Sequence, residues 1–162
     1  MPTALLERCA GHPVRELAPG DVLMTEGGRS NLLFVLVEGR FEVAHQGSVI
    51  ATVAEPGAVL GEVSILLGSD HGATVTATVP SRVHVMEEPL DALMADAEAL
   101  LEVARGLARR LNRLNAYLSD IKEQYGNESG HLGMVDEVLA QLSFGEHPAV
   151  EPGSERDPDP YY

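Results

Sequence analysis

Gly61, Glu62, Val63 and Ser64 open an apolar turn, Ile65-Leu66-Leu67. Gly68 closes it ahead of a polar loop, Ser69-Asp70-His71-Gly72, and a strand-like run, Ala73-Thr74-Val75. A helical turn that starts at a glycine leaves backbone N–H groups free at its first residues, and its dipole favours an anion there. Gly61 permits close backbone approach, and Glu62 supplies one acceptor beside those donors. Together they can hold a small anion such as a cyclic phosphate. Taken alone, Glu62 reads better as an acid placed early in a helix for its dipole, worth a few tenths to ~1 kcal/mol. Beside Gly61, Ser64 and the Ala73-Thr74-Val75 strand, the ligand role is the better reading.

Strands must carry this turn. Between Arg15 and Met86 the chain reads as short apolar runs at Val14–Leu17, Val22–Thr25, Leu32–Val37, Arg40–His45, Val49–Val53, Ala73–Thr78 and Arg82–Met86. Pro19-Gly20-Asp21, Gly27-Gly28, Glu38-Gly39, Gln46-Gly47 and Pro80-Ser81 separate them with turn chemistry. That spacing predicts an antiparallel β-roll or jelly roll of about eight strands.

The spelling Gly61-Glu62, then Ser64-Ile65-Leu66, then Ala73-Thr74-Val75-Thr76-Ala77 resembles the phosphate-binding cassette of cyclic nucleotide-binding domains, the sensor half of bacterial catabolite-activator (Crp/Fnr-like) regulators and of kinase regulatory subunits. Ala18-Pro19-Gly20-Asp21-Val22-Leu23 and the hairpin from Leu33 to Val43 around Gly39 are similar to the opening half of the same family. The resemblance covers roughly residues 5 to 125. It implies a mainly β fold with helices: a β-roll with a cassette helix, an N-terminal helical lead-in and a long C-terminal dimerisation helix. It implies a ligand, cyclic AMP or cyclic GMP, held by Gly61, Glu62, Val63, Ser64, His71, Gly72, Ala73 and Thr74, with Glu62 accepting from the ribose hydroxyl.

His71 falls where the family places an arginine. A guanidinium is always charged and grips phosphate with two parallel N–H bonds. A histidine at its reference pKa of ~6.5 is mostly neutral at pH 7. Losing one charged hydrogen bond costs roughly 1.5 to 3 kcal/mol, or ~10 to 100-fold in affinity. Two readings stay open: His71 meets the phosphate as imidazolium, or it is a loop residue and the pocket is empty or takes another nucleotide such as a cyclic dinucleotide. In the family the base contacts come from the long helix, and that register points to Asn115, equally readable as an exposed polar position; Leu114 would supply packing only.

After Pro89 the period changes. Leu100, Ala104, Leu107, Leu111, Leu114, Leu118, Ile121 and Tyr125 recur in steps of 4 and 3, a heptad stripe within a helix expected over 97–125. Such a stripe packs on a second copy or on the β-roll, and the expected state is a parallel homodimer. Residues 1–125 form the expected domain. A linker and short amphipathic helix follow over 126–144, then an acidic, proline-spiked tail over 145–162 reads as disorder. From Asn127 onward there are eight acids against Arg156, half of the net charge of −14. The expected partner is an unknown protein reached through 132–162, with no helix-turn-helix.

That charge disfavours nucleic-acid binding, and no apolar run approaches the ~20 residues of a membrane span. One cysteine, Cys9, forbids an internal disulfide and reads as a small core residue. His45, His71 and His84 lack the close pairing of metal motifs, and no nucleophile–base pair or Walker-type loop is present. The expectation is therefore a cytoplasmic, non-catalytic module without metal or cofactor. It is either a ligand sensor signalling through its long helix or a ligand-free dimeric adaptor with a degenerate pocket.

Overall fold

The computed structural model describes residues 4–125, with Tyr125 by its backbone alone. The expectations for 126–162 lie outside the described residues. The order is α1 (Ala4–Cys9), β1 (Val14–Leu17), β2 (Val22–Met24), β3 (Leu32–Glu38), β4 (Phe41–His45), β5 (Ser48–Val53), β6 (Val59–Leu60), α2 (Glu62–Leu67), β7 (Thr74–Ala77), β8 (Ser81–Glu87), α3 (Pro89–Ala95) and α4 (Ala97–Tyr125). Two four-stranded antiparallel sheets, β1-β8-β3-β6 and β2-β7-β4-β5, form the roll. The chain divides into two compact units, 1–109 and 110–162, with the boundary inside α4.

The unbroken apolar run of β3 has a physical reason: both of its faces are covered. Phe34 and Leu36 enter the interior of the roll with Leu17, Leu23, Phe41, Leu60, Val75 and Val83. Leu33 and Val35, one residue out of phase, join a second core with Leu5 and Cys9 of α1, Leu93 of α3, and Ala99 and Val103 of α4. Alternation along a strand sends successive side chains to opposite faces, so β3 knits the roll to its helices.

Cys9 is 1% exposed, and burial, followed by the nearby Asp96 charge, pushes its thiol above the ordinary range. Only the thiolate reacts. A thiol reagent such as Ellman's is expected to leave the native protein unlabelled and to titrate one thiol after unfolding; prompt native labelling would contradict the burial.

Two helices stand after Pro89, the long one over the expected 97–125 and a short one, α3, that the sequence did not mark. Asp96 breaks them, with extended backbone (φ −125, ψ 94). Its Oδ1 accepts from the N–H groups of Glu98 and Ala99, both at 3.1 Å, making it the N-cap of α4. Arg8 of α1 donates to Asp96 Oδ2 at 2.6 Å and also pairs with Glu98. The Ala99 N–H, then Arg8, hold the Asp96 carboxyl below the usual carboxylate range. A depressed carboxylate stabilises the fold above its unfolded pKa, about 4, and loses that contribution as pH falls through the lower folded value. Asp96→Ala is expected to lower Tm by a few degrees at pH 7 and by less at pH 3, as read by thermal unfolding.

Along the first turns of α4 the stripe that packs is Ala99, Val103 and Leu107. The heptad stripe is mostly a different one, sharing only Leu107. Its Leu100, Ala104, Leu111 and Leu114 are exposed, while Leu118 and Ile121 are partly covered.

Candidate functional site

Glycines in the left-handed region bound the six-residue α2: Gly61 at φ 94 and Gly68 at φ 64. Gly61 lies against β3, and a Cβ there would come within 3.0 Å of the Leu32 carbonyl and 3.3 Å of Met24 Sδ. This contact sets the start of the cassette on the roll. Glu62 is buried at 3% exposure. The Val63 side chain faces solvent, so its backbone N–H is what it offers a ligand.

His71 is not a loop side chain in solvent. It is 7% exposed, with Nδ1 3.1 Å from Ser64 Oγ and Nε2 3.0 Å from Ser30 Oγ. Ser64 also donates its hydroxyl to the Gly61 carbonyl at 3.0 Å. A hydroxyl has one proton, so Ser64 must accept from His71 Nδ1–H. In a neutral ring Nε2 then accepts from Ser30; in an imidazolium both nitrogens donate. Either way the two ring nitrogens are engaged by protein, and the imidazole bridges α2 to the loop between β2 and β3.

That loop clamps the cassette at further points. Gly27 N–H donates to the His71 carbonyl, and His71 N–H donates to the Gly28 carbonyl, both at 2.8 Å. Glu26 N–H donates to Thr74 Oγ1 at 3.0 Å. His45 Nδ1 lies 2.9 Å from the Gly72 carbonyl and 2.8 Å from Glu26 Oε1. Ser30, Glu26 and His45 escaped the sequence reading because their partners are 41, 48 and 27 residues away; no local period marks such pairs. The Gly27-Gly28 turn was the one visible sign of the clamp.

No Lys or Arg occurs from Phe41 to Ser81. Arg29 does reach the cassette, hydrogen-bonding the Gly68 carbonyl and lying 3.6 Å from Asp70 Oδ1. It thereby satisfies the C-terminal end of α2, roughly 9 Å along a six-residue helix from the donors at Gly61 and Glu62.

Ala73 and Thr74 are half-buried, and Gly72 is exposed. Glu62, Ser64 and His71 thus lie together within the first unit. Asn115 lies in the second; its side chain is half-covered, and its Oδ1 is buried without a hydrogen-bond partner. Among the described residues no group of three or more His, Cys, Asp or Glu side chains could hold a metal ion, and no helix is long and apolar enough to cross a membrane.

The sequence pattern of the cyclic nucleotide-binding domain matches residues 14–96, spanning the roll, the cassette and α3. The chain belongs to the cyclic nucleotide-binding domain family. Domains of this family regulate other activities rather than catalyse. The fold is shared with the Thermus thermophilus catabolite activator protein, at 19% identity and TM-score 0.60 over 73% of this chain and 59% of that one. It is shared too with a cyclic nucleotide-binding domain from Methylobacillus flagellatus, at 23% identity and TM-score 0.55 over 78% and 74%. A curated relative, an uncharacterized ABC transporter ATP-binding protein of Mycobacterium tuberculosis, is 35% identical over 65 residues, 38% of this chain. The match spans 20% of that relative's length. Within this cyclic nucleotide-binding domain, the His71 imidazole is buried and doubly hydrogen-bonded.

Proposed function

We propose that this cyclic nucleotide-binding domain is a non-catalytic sensor of cyclic AMP or cyclic GMP whose occupancy is passed through α4 to a partner protein. The observation that supports this is Gly61–Glu62: a left-handed glycine pressed on β3, followed by a buried carboxylate where the family binds a ribose hydroxyl. Val63 and Ser64 would add backbone donors, and Gly72, Ala73 and Thr74 the far wall. A bound phosphate would draw His71 away from Ser30 or Ser64, so affinity is expected to be low. For signalling, the ligand must favour one placement of α4 over another.

The exposed heptad stripe supports a parallel homodimer through 97–125, since Leu111 at 42% and Leu114 at 47% exposure leave an apolar seam in water. A partner would be reached through that helix or through 132–162. An ATP-binding transporter subunit is the partner class suggested by the Mycobacterium relative.

The Ser30–His71–Ser64 bridge favours a second reading, a ligand-free dimeric adaptor, or a pocket adapted to a cyclic dinucleotide. Calorimetric titration with cyclic AMP, cyclic GMP and a cyclic dinucleotide separates these, with Glu62→Ala as control. Saturable heat abolished by Glu62→Ala supports the sensor. Silence at millimolar ligand, where binding tighter than about −4 kcal/mol registers, supports the adaptor. Sedimentation as a monomer would remove the dimer from both.

A further inference from the structure

The two most exposed large apolar side chains among the described residues are Leu67 of α2, at 74%, and Met94 of α3, at 73%. Neither stands alone. Val63, Leu66 and Leu67 occupy positions i, i+3 and i+4 of α2, and Leu90 and Met94 occupy i and i+4 of α3; all five are exposed. Residues at these spacings share one helix face. The two helices touch each other, while Glu62 and Ser64 of α2 and Leu93 of α3 point inward. Scattered surface apolars are ordinary, but two apolar helix faces on adjoining helices mark an interaction site.

Charge selects the occupant. Neither helix carries Lys or Arg, and none occurs from Val83 to Ala104; the cation at the C-terminal end of α2, Arg29, is paired with Asp70. Exposed acids Asp91 and Glu88 lie on or beside α3. We propose that the outward faces of α2 and α3 dock a basic amphipathic helix of another protein, its leucine-type side chains on Leu67 and Met94 and its Lys or Arg against Asp91 and Glu88. A second copy of this chain would bring like acids together, and an anionic membrane would be repelled. Unbranched, polarizable Met94 suits a surface that must adapt to a helical partner. The inference does not require a nucleotide in the cassette.

The test uses the full chain and a fluorescein-labelled 14-residue helical peptide with leucines at i, i+3, i+4 spacing and lysines elsewhere, followed by anisotropy. Saturable binding is expected, weakened about 10-fold or more by Leu67→Ser or Met94→Ser. Asp91→Lys is expected to weaken it too, while the same peptide with glutamate for lysine stays free. Both serine variants remove side chains already in water, so Tm is expected to hold and certifies folding. Unchanged affinity in the folded serine variants would overturn the proposal, as simple attraction to net charge. Equal binding of the glutamate peptide would overturn it. So would a wild-type dimer that Leu67→Ser makes monomeric, or anionic-vesicle binding that the serine variants lose.

Discussion

Gly39→Ala is expected to lower Tm by roughly 15 °C or more. Gly39 turns β3 into β4 at φ +113, and a Cβ there would lie 2.1 Å from Ser81 Oγ, 2.5 Å from Ser81 Cβ and 2.6 Å from Ser81 Cα. The last of these is backbone, so no rotamer change relieves the overlap. Ser81 is itself fixed: it is 3% exposed, accepts from Arg40 N–H at 3.1 Å and donates to the Val79 carbonyl at 2.7 Å. Left-handed backbone costs a non-glycine residue about 1–2 kcal/mol, overpacking about 1–3, and the displaced Ser81 bond about 1. The sum, about 3–6 kcal/mol, is a large part of the ~5–15 kcal/mol that holds a domain folded. Urea unfolding with an unchanged slope would read it directly. Ser81→Ala should not rescue the variant, because Cα and Cβ of residue 81 remain in the way. A Tm within ~2 °C of wild type would show that the hairpin opens at no cost, contrary to the contact described.

His71→Arg is expected to move stability and affinity in opposite directions. The imidazole spans Ser30 and Ser64, 3.0 and 3.1 Å away, from a seat 7% exposed. Arginine cannot occupy that seat uncharged and must turn outward, forfeiting two hydrogen bonds of about 1 kcal/mol each. Turned toward Gly61 and Glu62, it would supply the charged bond to a phosphodiester that the native cassette lacks. Affinity for cyclic AMP or cyclic GMP is expected to rise ~10 to 100-fold while the apo protein melts several degrees lower. His71→Ala should share the loss of stability without the gain. Calorimetry and thermal unfolding on the same preparations check both. An arginine variant that neither gains affinity nor loses stability would show that the bridge is not what separates this cassette from a phosphate.

Much of this domain was legible because its signals are local. Turn residues at fixed intervals marked seven of the eight strands to within two residues. The missed strand, β6, has two residues, and its pairing of Val59 and Leu60 with Val35 and Phe34 defines it; a pair that short has no period of its own. The change from alternation to a 3–4 repeat placed α4 at 97–125, and Gly61–Glu62 located the start of α2. The short α3 ahead of α4 was less visible, because its seven residues make only about two turns and carry no repeated period.

By itself, then, the sequence determined most of the elements, their order and the family, since propensity, turn chemistry and periodicity act between residues near one another in the chain. Only the tertiary structure decided the state of His71, because Ser30 comes from another loop and hydrogen bonds have no sequence range. It alone showed that α4 packs through Ala99 and Val103 and leaves most of the heptad stripe in water. Period says how many apolar stripes a helix carries; which one is covered depends on the neighbour that folding brings against it.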